Sequence, residues 1–218
     1  MITFVGMGPG DPELLTLKAV RAIREADWIA MPDTGMGSSA VTAIAGDLLE
    51  GKRVLKLYMP MRGGRDSWRD AHAQAVEALS ERLEAGENVA YLVLGDPMLY
   101  ATGSYLMAML ADRFETRVIP GVTSMCAAAA QLKVPLCEDR QRLQVWPGFP
   151  EGSALPDGNV VVMKANGKLR EILAAGEGRE MYLARNIGME GEYAGPLRDA
   201  DLDVHAYFST VLVRGKES

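Results

Sequence analysis

Residues 89–104 read VAYLVLGDPMLYATGS, and no other stretch restricts the fold as much. Val89, Ala90, Tyr91, Leu92, Val93 and Leu94 form an unbroken apolar run. It has the length of a strand buried on both faces and is too short for a helix. The run stops at Gly95-Asp96-Pro97. Glycine admits a backbone conformation other residues resist, while Pro97 removes a donor and pushes Asp96 toward extended geometry. Leu99, Leu106, Met109 and Leu110 then follow at helical spacing. Strand, sharp polar loop and helix in that order predict an open parallel α/β sheet, in which ligands bind at the carboxyl ends of the strands.

The N-terminus repeats this grammar. Ile2 to Val5 is a short apolar strand that runs into Gly6-Met7-Gly8-Pro9-Gly10-Asp11-Pro12. A helix is expected next, with Leu14, Leu15, Leu17, Val20, Ala22 and Ile23 on its apolar face. Two glycines after a first strand suggest a dinucleotide site, but the details oppose it. Asp11 stands where the third glycine of G-x-G-x-x-G belongs, and Pro9 has no N–H for a phosphate. Aspartate at a helix start also repels a pyrophosphate. Gly-Asp-Pro recurs at 10–12 and 95–97. Aspartate as cap and proline at the first helical position account for both as helix chemistry. Asp96, on the most apolar strand, is also expected to serve a cationic or zwitterionic ligand.

Further strands are expected at 27–30, 53–57 and 117–119, and helices at 40–49, 66–83 and 125–132. The loop from Met59 to Arg65 brings Lys56, Arg62 and Arg65 near one strand end, where arginine suits carboxylates. Trp68, Ala75, Val76, Leu79 and Leu83 mark the apolar face of the helix after it, and His72 reads as surface or packing. Thr123 or Ser124 can cap the alanine-rich helix. In the second half strands are expected at 143–146, 159–163, 180–184, 203–208 and 209–213, with one helix at 168–173, which suggests a mixed sheet. The domains are read as 1–113 and 114–218.

The 218 residues, 48% hydrophobic, suffice for such an α/β chain. A net charge of −6 argues against a nucleic-acid partner. Cys126 and Cys137 read as free, buried thiols, which suits a reducing cytoplasm. No Cys/His cluster suggests a metal. The N-terminus does not read as a signal peptide, and no apolar run reaches membrane-spanning length. A soluble, cytoplasmic protein is expected.

Taken together, GMGPGDPELLTLKAVRAIREAD at 6–27, LGDPMLY at 94–100, PGVTS at 120–124 and YFSTVLVR at 207–214 resemble the tetrapyrrole methylase family. These stretches span nearly the whole chain in the family's order. Met59-Pro60-Met61, the 95–107 segment and GMEGE at 188–192 look most like the members that methylate the C20 carbon of precorrin-2 or of its cobalt-bearing counterpart. The resemblance implies a two-domain α/β fold, with an N-terminal mainly parallel sheet, a C-terminal mixed sheet and S-adenosylmethionine in the cleft between them. It also implies a homodimer.

Family contacts to the cofactor carry over to Pro9, Leu94, Gly95, Asp96, Leu99, Thr123 and Ser124. They extend to Met163, Ala165, Ile187, Gly188, Ser209 and Thr210. The expected acceptor is a reduced tetrapyrrole, a polycarboxylate, with Lys56, Met61, Arg62 and Arg65 as its contacts. Asp11 and Tyr100 are the candidates to accept the proton that leaves the methylated carbon. Asp96→Ala is expected to weaken cofactor binding more than it disturbs folding. The alternatives are methylation elsewhere on the ring, a non-tetrapyrrole acceptor as in diphthine synthase, and a catalytically silent cofactor-binding scaffold.

Overall fold

The computed structural model describes residues 1–33, 40–60 and 64–215, the side chain of Arg65 excepted. The chain divides into two compact units, Met1–Thr123 and Ser124–Ser218.

The first unit is built on five strands: β1 (Ile2–Gly6), β2 (Trp28–Asp33), β3 (Arg53–Tyr58), β4 (Val89–Val93) and β5 (Thr116–Ile119). All pair in parallel, in the order β3-β2-β4-β1-β5. Four helices connect them: α1 (Leu17–Glu25), α2 (Ala40–Ala45), α3 (Arg65–Glu84) and α4 (Gly103–Leu110). Every residue of β1 and β4 is buried. Side chains alternate between two cores. Phe4, Val89, Tyr91 and Val93 meet Leu79 and Leu83 of α3 and Leu106 and Leu110 of α4. Val5, Ala90 and Leu92 meet Ala19 and Ile23 of α1 and Val41 and Ile44 of α2. The chain moves one way across the sheet through β1, β2 and β3, then back to β4 and β5. With a fixed crossover hand, that reversal sends α3 and α4 to the face opposite α1 and α2.

The first helix differs from expectation. Pro12–Leu14 is a separate 3-10 turn capped by Asp11, and Thr16 starts α1 by accepting the Ala19 N–H at 3.1 Å. That new start turns Leu17 outward, and it is 82% exposed. The second helix ends early because Gly46, at φ +47, tightens into a 3-10 turn over Gly46–Leu49. The first compact unit runs on to Thr123, because β5 pairs with β1 and completes the first sheet.

Tyr91 lies in β4 with its ring 5.5 Å from that of Phe4, and its hydroxyl is buried without a partner among the described residues. Burial pushes its phenol well above the usual range. A buried hydroxyl with no hydrogen bond carries an uncompensated desolvation cost. Tyr91→Phe should therefore leave stability unchanged or raise it by about 1 kcal/mol, read as a higher midpoint in chemical denaturation.

The second unit opens with α5 (Ser124–Leu132) and carries β6 (Leu143–Trp146), β7 (Asn159–Val162), α6 (Leu169–Ala175), β8 (Met181–Arg185), β9 (Tyr193–Pro196) and β10 (Ser209–Val213). The sheet order is β6-β7-β10-β8-β9. β6 and β7 are parallel and the other pairs antiparallel, so the sheet is mixed as expected. One face packs Val160, Val162, Leu183, Val211 and Val213 on Leu169 and Ile172 of α6. α5 lies against β8, β9 and β10.

Residues 203–208 form no strand. Asp201 Oδ1 accepts the Asp203 N–H at 3.0 Å, so polar turn chemistry outweighs the apolar tail of that segment. The sheet's last strand is β9 instead, a short edge strand ending in a proline, where no ladder donor is needed. Cys126 and Cys137 are exposed rather than buried: α5 turns Ala127 and Ala128 inward and Cys126 outward, and Cys137 lies in the loop that follows this helix. Among the described residues no helix is long and apolar enough to cross a membrane, and no cluster of three or more His, Cys, Asp or Glu side chains could hold a metal.

Candidate functional site

In the first unit the carboxyl ends of β1, β4 and β5 converge backbone on backbone. Met7 N–H donates to Val93 O at 2.8 Å, and Gly8 and Gly95 exchange hydrogen bonds of 3.2 and 2.7 Å. Gly8 and Gly95 have φ of +74° and +72°, a region side chains disfavour. A Cβ on Gly6 would lie 2.4 Å from Gly121 N, and one on Gly121 would lie 2.2 Å from Gly95 O. The three loops can meet only because no side chain stands between them. The loops after β1 and β4 then leave to opposite faces, toward α1 and α4, the arrangement that opens a ligand crevice in such sheets.

Asp96 ties this junction. Its Oδ2 accepts the Gly121 N–H at 2.9 Å and its Oδ1 the Met98 N–H at 2.8 Å. Pro97 does not begin a helix, since α4 starts only at Gly103 after a turn in which Leu99 N–H donates to Asp96 O at 3.3 Å. The two Gly-Asp-Pro copies therefore differ. Asp11 caps its own turn through the Glu13 N–H at 2.8 Å, whereas Asp96 bridges two strand ends. Pro9 is buried, Leu94 and Thr123 are half-buried, and all three flank this junction. Tyr100 is exposed and sits at φ +48°, strained for a residue with a side chain.

In the second unit the ends of β7 and β8 and the start of β10 lie at one end of the sheet, because β10 runs antiparallel to both. Ala165 N–H donates to Ser209 O, and Asn186 N–H to Phe208 O, both at 2.9 Å. Ser209 Oγ donates to Ala206 O at 2.7 Å. Gly188, at φ +75°, donates its N–H to Glu192 Oε2 at 2.8 Å. Met163, Ala165, Ile187, Gly188, Ser209 and Thr210 thus share one end of this unit, and Ser124 opens its first helix.

Lys56 is exposed within the edge strand β3, two residues short of its end. Met61 and Arg62, and the side chain of Arg65, lie outside the described residues. His72 is buried on α3, as packing: its Nδ1 donates to Trp68 O at 2.8 Å and its ring stacks on Trp68 at 3.8 Å. Trp68 is itself partly exposed, rather than in the core where the helical spacing puts it. Gly6 and Gly121 were not singled out by sequence reasoning. Their role depends on which strands become neighbours, although each lies in a Gly- and Pro-rich strand end that signals a tight turn.

Residues 1–201 match the Tetrapyrrole (Corrin/Porphyrin) Methylases. The chain belongs to this family. It is 35% identical over 231 residues to a precorrin-2 C(20)-methyltransferase from Sinorhizobium sp, covering 97% of this chain and 94% of that protein. It is 36% identical over 230 residues to the cobalamin biosynthesis protein CobIJ of Mycobacterium tuberculosis, covering 97% of this chain. The chain spans only 45% of the length of CobIJ. A solved uroporphyrin-III C-methyltransferase from Thermus thermophilus, complexed with S-adenyl homocysteine, has the same fold. Its TM-score is 0.67 at 24% identity, covering 97% of this chain and 96% of that one. In this tetrapyrrole methylase the mainly parallel first sheet and mixed second sheet are those expected of the family.

Proposed function

We propose that this tetrapyrrole methylase transfers a methyl group from S-adenosylmethionine to the C20 carbon of precorrin-2, or of its cobalt-bearing counterpart, in cobalamin biosynthesis. The observation that carries the reading is the 35% identity to a precorrin-2 C(20)-methyltransferase over nearly the full length of both chains. The reading includes a cytoplasmic homodimer.

The residues present fit the donor. The bare backbone junction of Gly6, Gly95 and Gly121 leaves main-chain groups, not side chains, at the strand ends. Such groups suit an adenosyl and amino-acid moiety better than the paired phosphates that Pro9 and Asp11 disfavour. Pro9, Leu94, Gly95, Asp96, Leu99 and Thr123 are the proposed donor contacts on the first unit. Ser124, Met163, Ala165, Ile187, Gly188, Ser209 and Thr210 are those on the second.

When bound, S-adenosylmethionine supplies an electrophilic methyl on a sulfonium sulfur. The protein's part is to hold the acceptor carbon in line with it, and positioning of this kind can supply roughly 7–11 kcal/mol of a barrier. Asp11 is the preferred proton acceptor. Its Oδ1 is engaged by the Glu13 N–H, and Oδ2 remains for a proton from C20. Tyr100 is the second candidate, and Lys56, Met61, Arg62 and Arg65 are the proposed acceptor contacts. A second reading, methylation at another ring position, is favoured by the 36% identity to CobIJ. Incubation with S-adenosylmethionine and precorrin-2, with and without cobalt, should yield a product heavier by one CH2, a methyl gained and a proton lost, with carbon NMR placing the new methyl at C20. A methyl on another carbon would select the second reading, and no transfer to any tetrapyrrole would overturn both.

A further inference from the structure

Lys164 sits between two of the proposed donor contacts, Met163 and Ala165, at φ +50°. A lysine in the left-handed region is strained, and such strain persists where surrounding structure enforces it. Its side chain is exposed and joins no ion pair among the described residues, whereas Lys168 on the same loop is paired with Glu171 at 2.8 Å.

The neighbouring loop carries two large aromatic side chains in the open. Tyr207 is 44% exposed and Phe208 37%. Their exposure does not come from a loose backbone. Phe208 O accepts the Asn186 N–H at 2.9 Å, and Tyr207 O accepts the Ser209 N–H at 3.0 Å. The rings brace each other edge to face, with centroids 5.2 Å apart and planes at 80°. The loop is tied to that of Lys164 twice, by Ala165 N–H to Ser209 O at 2.9 Å and by His205 Nδ1 to Asn166 Oδ1 at 3.3 Å. One exposed cation and two braced aromatic rings therefore share the end of the second sheet that carries the proposed donor contacts.

We infer that Lys164, Tyr207 and Phe208 form a subsite for the methyl acceptor on the second unit, the rings lying against its conjugated macrocycle and the ammonium meeting one of its carboxylates. The inference rests on the functional reading above. Aromatic faces favour flat conjugated partners, and an unpaired exposed ammonium suits a carboxylate. Open aromatic rings on a loop held by three backbone hydrogen bonds have no packing role in the second unit's core, which lies on the α6 face.

The test uses the whole protein and uroporphyrin III, a stable polycarboxylate porphyrin, followed by fluorescence quenching. S-adenosylhomocysteine affinity is measured in parallel by calorimetry. The Tyr207→Ala/Phe208→Ala double variant should weaken porphyrin binding by about tenfold, the size of one lost stacking contact. Lys164→Asn, which keeps a residue tolerant of positive φ, should weaken it by about threefold and flatten its salt dependence, with Lys164→Arg restoring both. S-adenosylhomocysteine affinity should not change in any of them. Unchanged porphyrin binding in the variants, or a parallel loss of S-adenosylhomocysteine binding, would overturn the inference and leave the functional reading standing. A wild-type protein that binds S-adenosylhomocysteine, yet neither binds the porphyrin nor methylates precorrin-2, would defeat the functional reading and the inference with it.

Discussion

Gly121→Ala is expected to unfold the first unit's ligand end. The added Cβ would stand 2.2 Å from Gly95 O and 2.9 Å from both Gly6 C and Gly6 Cα. All three are main-chain atoms at the ends of buried, hydrogen-bonded strands, so none can swing aside as a side-chain tip would. Overpacking a well-filled site costs about 1–3 kcal/mol, and the upper part of that range applies where backbone meets backbone. A loss of about 3 kcal/mol corresponds to a fall of roughly 6–12 °C in thermal midpoint for a chain of this size. S-adenosylhomocysteine binding should weaken by at least about tenfold, because the loops that form the proposed contacts must part. Gly148→Ala is the control. Nothing lies within 4 Å of its added Cβ and its φ is not positive, so its stability should stay within about 0.5 kcal/mol of wild type. Equal midpoints for the two variants would show that the three strand ends are not packed as described.

Asp96→Ala should cost both stability and donor affinity. The carboxylate holds the Gly121 and Met98 N–H groups at 2.9 and 2.8 Å. Hydrogen bonds to a charged group contribute about 1.5–3 kcal/mol each, and partial exposure of Asp96 places this pair toward the low end. A net loss of about 2 kcal/mol is expected, with the thermal midpoint lower by roughly 4–8 °C. Asp96→Asn should recover little, since its amide keeps one acceptor and presents a donor to the other N–H. The sequence expectation placed the effect on cofactor binding above that on folding. The structure adds a folding role, because the same carboxylate joins β4 to β5. Denaturation and calorimetry on one preparation separate the two. A variant with wild-type stability and weakened S-adenosylhomocysteine binding would return Asp96 to a purely ligand role.

Strand positions in the first unit were legible because β1 and β4 are largely apolar segments that run into glycine, and β2, β3 and β5 meet a proline within or just past their ends, a purely local signal. Helix starts were less so. The run from Leu14 to Ile23 reads as one helix until Thr16 is seen to cap a new one, and Leu17 then faces solvent. In the second unit 203–208 has strand-like residues, yet Asp201 and Asp203 commit it to a turn. β9 has only four residues, YAGP, and gives almost no periodic signal. The exposed thiol of Cys126 was misjudged because which side of α5 turns inward depends on the sheet it covers, and that of Cys137 because it lies in the loop beyond that helix.

By itself the amino-acid order determined the alternation of strand and helix, the glycine-rich strand ends and the likeness to the tetrapyrrole methylases, since these depend on residues close together in the chain. Tertiary structure alone decided that Gly6, Gly95 and Gly121 touch, that Asp96 spans two strand ends where Asp11 caps only one turn, and that strand 116–119 belongs to the first sheet. The physical reason is strand order. In a parallel sheet, neighbours in space are set by the crossovers rather than by sequence distance, so a contact across 25 or more residues leaves no local pattern to read.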